Sequence, residues 1–281
     1  MYLLSLIITT QNRKKELLRF LDSLNNQQGV AFNNIQMIFV DQGNNEDVIC
    51  YANRKYHIDY IPYCQCALSQ ARNLALNYVK GKYVAFPDDD CWYTPQTLSC
   101  VFERFNQGFD GVVAFGCDED GKQTNKFLSK SCLLSKYKHC GAISYTLFLK
   151  FDSSILFDEN IGVGSKYNLS SGEETDYLVN YFNKEERKVL FDKDIVVHHP
   201  NGKADYFESQ IEKSYYYARG DGYILKKHHF PYVYKLKCFV RPICGIILNL
   251  IIFRTKRAKR SFFILKGRIE GYRMYRGILC K

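Results

Sequence analysis

Short apolar runs that each stop at a polar or acidic residue, with helix-period segments between them, restrict this chain to a layered strand-and-helix fold. Leu3 to Thr9 and Ile35 to Val40 read as strands, the second ending at Asp41 and followed by the turn residues Gln42, Gly43, Asn44 and Asn45. Ile58 to Ile61 is a shorter strand, and Tyr83 to Phe86 a fourth. Lys14 to Asn25 reads as a helix with Leu17, Leu18, Leu21 and Leu24 on one face. Leu68 to Val79 is a second helix, with Leu68, Ala71, Ala75 and Val79 at helical spacing and Gly81 as its cap. Gly111 to Phe115 and Ala142 to Leu149 add strands, and Ile195 to Val197 leads a further one into His198-His199. Strands alternating with short helices predict an α/β fold: a mostly parallel, nucleotide-binding sheet flanked by helices. A chain of 281 residues with 46% hydrophobic content can bury one large core or two small ones.

The strand at Tyr83 runs straight into Asp88, Asp89 and Asp90. Three like charges at a strand end repel one another, an arrangement usually kept where a divalent cation neutralises it, and strand ends of open α/β sheets are where ligands bind. The segment therefore reads as a metal and diphosphate site. The plainer alternative is a solvated acidic turn, with Asp90 or Thr94 capping a helix that has Pro95 at its first position. No Gly-rich phosphate loop follows the first strand, which makes a metal the simplest holder of phosphates. Beyond the glycine-bearing loop Phe157 to Gly164 comes a second acidic cluster, Glu173, Glu174 and Asp176, opening a helix that runs through Asn183. One or two of these acids suit the helix dipole; the cluster can also supply a general base. His199, at a strand end, is a candidate third metal ligand, whereas His228-His229, in a basic helical region, reads as surface or interfacial and receives no role. Trp92, the single tryptophan, offers an apolar wall for a sugar face or packs under the following helix.

Charge is concentrated at the far end. From Lys235 onward thirteen Lys or Arg face one acid, Glu270, so this segment carries +12 of a chain whose net charge is +10, and the remainder is near −2. Ile243 to Phe253 inside it is apolar but shorter than the ~20 residues a spanning helix needs. Basic residues flanking an apolar run suit the interface of an anionic membrane leaflet, with a core helix and a solvated tail as the alternative. Nucleic acid is not expected, because the apolar run has no part in gripping phosphates. Eleven scattered cysteines without metal spacing suggest reduced thiols, and Leu3 to Thr9 lacks the basic leader of an export signal. The expected location is cytoplasmic, peripheral at the inner face of the cell membrane.

In order along the chain stand Ser5-Leu6-Ile7-Ile8-Thr9-Thr10-Gln11-Asn12-Arg13, Phe39-Val40-Asp41, Ala71-Arg72-Asn73, Phe86-Pro87-Asp88-Asp89-Asp90, Gly172-Glu173-Glu174-Thr175-Asp176 and His199-Pro200. This series resembles glycosyltransferase family 2 on its GT-A fold, over residues 3 to 225. The resemblance implies an inverting transferase with a nucleoside-diphosphate sugar donor, by analogy a UDP-sugar. It implies that Thr9, Thr10, Arg13 and Asp41 bind the nucleobase with Arg72 nearby, and that Asp88 and Asp89 serve the ribose or the metal shell. Asp90 would hold Mn²⁺ or Mg²⁺, with Asp88 and His199 as further ligands. Glu174 matches the position of the catalytic base, Asp176 is the other choice, and Glu173 completes the motif. The acceptor would be a glycan or lipid-linked saccharide in surface polysaccharide synthesis.

The expected organisation is a GT-A-like domain over 1–225, with a nucleotide-sugar half to about 115 and an acceptor half from about 116. A basic amphipathic helical segment follows over 226–281. Two other classes are compatible with parts of the sequence: a nucleotidyltransferase sharing the metal-bound carboxylates, and a non-catalytic membrane-surface scaffold that needs neither Asp90 nor the Glu173 cluster.

Overall fold

Ile35–Asp41 is buried at every position, so as a strand it needs cover on both faces. In the computed structural model, which describes residues 2–52, 56–138, 141–201 and 208–279, this strand, β2, has that cover. It lies between β1 (Tyr2–Thr10) and β3 (His57–Pro62), with β4 (Gly81–Ala85) on the far side of β1, all four parallel. The remaining strands are β5 (Trp92–Tyr93), β6 (Gly111–Cys117), β7 (Cys132–Leu133), β8 (Leu147–Lys150) and β9 (Val189–His198). The spatial order is β3-β2-β1-β4-β8-β6-β9-β5, with β7 also paired to β9. Among the described residues six of the nine strands, β1 to β4, β6 and β9, point the same way. The mostly parallel α/β sheet expected from the sequence is present.

Packing divides the chain into two units. Unit 1 comprises Met1–Cys66, Gln70–Leu156 and Tyr177–Gly202, and holds the whole sheet. Unit 2 comprises Ala67–Ser69, Phe157–Asp176 and Lys203–Lys281.

In unit 1, helix α1 (Lys14–Asn25) buries Leu17, Phe20, Leu21 and Leu24, while Leu18 is exposed. The expected face is corrected by one residue: Phe20, a turn before Leu24, carries the larger apolar ring and takes the core position. After α2 (Glu46–Ala52), helix α3 (Leu68–Leu76) stops short of Val79. Gly81 is the first residue of β4 and not a helix cap. A Cβ there would lie 2.7 Å from the Ser5 backbone nitrogen, so glycine is required by the close approach of β1. Helix α4 (Thr97–Asn106) starts after Gln96, not at Asp90 or Thr94. Trp92–Tyr93 is drawn into antiparallel pairing with Val197 and His198, which delays the helix. The first part of the expected strand Ala142 to Leu149 is a 3-10 turn at Ser144–Thr146, and only Leu147–Lys150 is extended.

In unit 2, α5 (Glu173–Lys184) begins, and α6 (Glu208–Lys227), α7 (Tyr232–Ile251) and α8 (Thr255–Leu279) follow. Helices α6 and α8 meet backbone to backbone: a Cβ on Gly271 would collide with the Arg219 carbonyl oxygen, and one on Gly222 with that of Arg268. Helix α7 meets α8 through Phe239, edge-on to Tyr272, and through small and polar groups. Pro242 is buried, a Cβ on Gly245 would meet Ser261 Oγ at 2.8 Å, and Arg268 Nη1 donates to the Cys238 carbonyl at 2.6 Å. No helix among the described residues is long and apolar enough to cross a membrane. The last two residues of the basic segment lie outside the described residues.

Candidate functional site

The sheet order reverses beside β1: the chain passes from β1 to β2 to β3 on one side and then returns to lay β4 on the other. Open α/β sheets bind ligands at the carboxyl ends of strands flanking such a reversal. Thr9 stands opposite Val40 and Thr10 opposite Asp41 in the β1–β2 register, while Thr9 also bridges to Asp88 beyond β4. Four of the residues singled out in the sequence, Thr9, Thr10, Asp41 and Asp88, thus meet at one sheet end.

Asp41 is buried and accepts hydrogen bonds from Gly43 N at 3.0 Å, Asn45 N at 2.8 Å, Asn45 Nδ2 at 2.7 Å and Tyr60 Oη at 3.0 Å. Its carboxylate therefore shapes the turn after β2. The turn after β1 is tied to it, with Asn44 N donating to Asn12 Oδ1 at 3.1 Å and Gln11 Nε2 to Gln42 Oε1 at 3.3 Å.

The carboxylate triplet is balanced by cations. Arg13 Nη1 donates to Asp89 Oδ1 at 2.9 Å and Nη2 to Asp90 Oδ2 at 2.6 Å, spanning two neighbouring acids with one guanidinium. Arg72, 2% exposed, places Nη2 3.2 Å from Asp88 Oδ1, and Ser144 Oγ donates to the same oxygen at 3.3 Å. Arg13 and Arg72 thus supply two positive charges to the triplet beside the metal-capable group.

Each outer carboxylate keeps its other oxygen toward His199. The His199 Nε2 atom lies 3.0 Å from Asp90 Oδ1 and 3.8 Å from Asp88 Oδ2. Asp88, Asp90 and His199 offer three ligand atoms within 4.8 Å of one another, a group able to hold a metal ion. Two carboxylate oxygens and an imidazole nitrogen make a mixed oxygen and nitrogen set for a divalent cation. His199 Nδ1 lies 2.8 Å from the Pro200 carbonyl, a contact that puts the ring proton on Nδ1 and presents Nε2 as a ligand. Tyr145 stacks on the imidazole, with centroids 4.6 Å apart and 11° between planes.

Burial pushes the Asp89 carboxyl up to about 6 despite Arg13. Asp90 goes the other way: burial opposes ionisation, but the hydrogen bonds and charges of His199 and Arg13 hold it at about 2. Burial likewise raises Asp88 against the pull of Arg72 and His199. Burial would depress His199, and the hydrogen bond and charge of Asp90 outweigh it and raise it.

Trp92 stacks on His198 at 5.2 Å, with the Arg19 guanidinium 3.9 Å from its ring centroid, and Arg19 Nη2 donates to the Asp90 carbonyl at 2.6 Å. These contacts place the indole in the support of the carboxylate segment.

Unit 2 holds the second acidic cluster. Asp176 is fully buried, with Lys227 Nζ and His228 Nε2 each 2.7 Å from Oδ1. Lys227 Nζ also reaches Asp158 Oδ2 at 2.7 Å, and Tyr223 Oη donates to that oxygen at 3.0 Å. The reading of His228 as a surface residue is corrected: the last turn of α6 carries it inward against Asp176. Glu173 is buried beside Gly162, and Glu174 is half-buried.

Arg19, Ser144, Tyr145, Lys227 and His228 were not among the residues picked out by sequence. Lys227 and His228 do stand in like pairs, Lys226-Lys227 and His228-His229, but nothing adjacent in the chain names their partner. Only their distance in sequence from the acids they serve, 52 residues for His228 and Asp176, made them invisible.

Residues 5–159 match the model of the family described as glycosyl transferase family 2. The chain is 29% identical over 181 residues to the minor teichoic acid biosynthesis protein GgaB of Bacillus subtilis, covering 58% of this chain and 20% of that one. It is 29% identical over 117 residues to the glycosyltransferase GlyA of Streptococcus pneumoniae, covering 40% and 16%. The match thus spans a fifth or less of the length of these two relatives. The S. aureus TarS fragment 1–349, in a structure solved with UDP-GlcNAc, has a TM-score of 0.58 at 16% identity, with 99% of this chain and 91% of that one covered. The mannosyltransferase PcManGT of Pyrobaculum calidifontis, solved with GDP-Man and Mn²⁺, has a TM-score of 0.65 at 11% identity, with 97% and 86% covered. The fold is thus shared with these transferases, and, on the family model that spans more than half of its length, this chain belongs to glycosyl transferase family 2.

Proposed function

We propose that the chain is an inverting, metal-dependent hexosyltransferase that moves a sugar from a nucleoside-diphosphate donor, a UDP-sugar, to a saccharide hydroxyl. The observation that carries this reading is the convergence of Asp88, Asp90 and His199 at the sheet reversal. A relative in minor teichoic acid biosynthesis, and structural neighbours solved with UDP-GlcNAc and with GDP-Man and Mn²⁺, support it.

In this reading Thr9, Thr10 and Asp41 border the nucleobase, Arg13 and Arg72 fix the carboxylates, and Asp89 serves the ribose side. A divalent cation held by Asp88, Asp90 and His199 would neutralise charge on the departing diphosphate. Glu174 is the proposed base, taking the acceptor hydroxyl proton as that oxygen attacks the anomeric carbon from the face opposite the leaving group. Its half-buried side chain suits this better than Asp176, which Lys227 and His228 engage. Glu173, buried beside Gly162, supports the helix start. Trp92 is assigned to support of the site and not to the acceptor.

The acceptor is proposed to be lipid-linked, in surface polysaccharide assembly, with the enzyme peripheral at the anionic inner face of the membrane through residues 235–281. The +12 charge of that segment supports this placement.

Calorimetric titration with UDP, GDP and dTDP, with and without Mn²⁺, tests the donor site. The expected result is metal-dependent binding of UDP that Asp90→Ala weakens by about 100-fold while leaving the fold intact. Metal-independent binding, or none by a folded protein, overturns the reading.

A further inference from the structure

Helix α7 is amphipathic in the wrong sense for a soluble helix. Val233, Leu236, Val240, Ile243, Ile247 and Leu250 recur at spacings of three and four residues, one stripe of a helix, and each is 41 to 61% exposed. The opposite side faces α8, giving it the Phe239 ring edge-on to Tyr272, the buried Pro242, Gly245 and the Cys238 carbonyl, and so the aliphatic stripe is left uncovered. At the turn into α8, Phe253 is 90% exposed and held at a φ of 54°, a backbone conformation seldom adopted by a bulky residue.

Charge selects what covers the stripe. From Tyr232 to Ile269 the chain has ten Lys or Arg and no acid. Lys237 and Arg241 lie along α7, and Arg254, Lys256 and Arg257 follow the tip. A second copy laid stripe to stripe would bring these like charges together, whereas anionic headgroups oppose them. With three basic residues and a proline inside it, α7 is no spanning helix.

We infer that α7 lies flat in the interface of an anionic bilayer, its Val233 to Leu250 stripe and Phe253 among the upper acyl chains and the flanking basic residues on phosphates. Helix α8 is not the lipid-contacting element; it fastens α7 to α6. The inference rests on the membrane-surface part of the proposed function and names the face that performs it.

The test is co-sedimentation of the full chain with phosphatidylcholine vesicles and with vesicles containing phosphatidylglycerol. Binding is expected only to the second, weakening as salt is raised. Phe253→Ser should lower partitioning about tenfold, and Ile247→Glu with Leu250→Glu about 100-fold or more. Both variants should keep the cooperative melt and nucleotide binding of the parent chain. The inference is overturned by equal binding to both vesicle types, by no binding to either, or by variants that bind like the parent. It is also overturned by a dimer in light scattering that the glutamate pair converts to monomer. Nucleotide titration on the same samples separates its failure from that of the transferase reading, since α7 has no part in the donor site.

Discussion

Asp158 shows how single residues set the stability of unit 2. Burial opposes its ionisation, but the charge and hydrogen bond of Lys227, with the backbone and side-chain hydrogen bonds of Asn160, hold its carboxyl below the ordinary 3.8. The folded value being the lower one, the carboxylate stabilises the fold above the ordinary range, and that contribution is lost as the pH falls through it. Lys227 is shifted upward by Asp176 and Asp158 against its own burial, so its share is complete below 10.5 and is lost only in stronger alkali. Asp158→Asn should therefore cost about 2 kcal/mol, a cost constant from about pH 6 to about 9 and shrinking below about pH 4. Thermal melts across that range measure it. A penalty that grows toward acid would mean that Lys227 does not hold the carboxylate. At this scale the sequence is readable where like groups cluster, as at Asp88 to Asp90. It is silent where a group's partner is distant: nothing near Lys227 in the chain announces Asp158.

Elements were legible in proportion to their burial on both faces. The strands β1, β2 and β4 are continuous apolar runs because helices cover both sides of their sheet, and such runs stand out against polar turns. The two-residue strands β5 and β7 have no pattern of their own. They exist because β9 offers free backbone groups, a fact held by residues 189 to 198 and not by the strands themselves. The tail was legible as basic and apolar, but not the division of labour between α7 and α8, which depends on glycines that permit helix contact. Gly271→Ala tests that contact. The added methyl meets the Arg219 carbonyl, a backbone atom that cannot swing aside, so the substitution should destabilise unit 2 by about 2 kcal/mol in urea denaturation. Neutral behaviour would show that α6 and α8 separate without loss.

For the whole molecule, α8 bears directly on how the tail can be removed. Cutting the chain before Lys235 deletes the partner against which Gly222 and Ala218 of α6 are buried. Such a truncation should leave α6 with fast amide exchange and ready proteolysis, losing stability along with any lipid contact; protection of α6 equal to that in the full chain would refute this. Point substitutions on the exposed stripe of α7 are the cleaner way to alter one without the other. Where their main chains touch, at Gly222 and Gly271, α6 and α8 leave little room to slide, and Tyr215 on Phe263 and Tyr223 on Tyr275 pack between them elsewhere. Lys227, the last residue of α6, is clasped by Asp158 and Asp176. The α6–α8 contact is thereby linked, through Lys227 and Asp176, to the first turn of α5, where Glu174 stands.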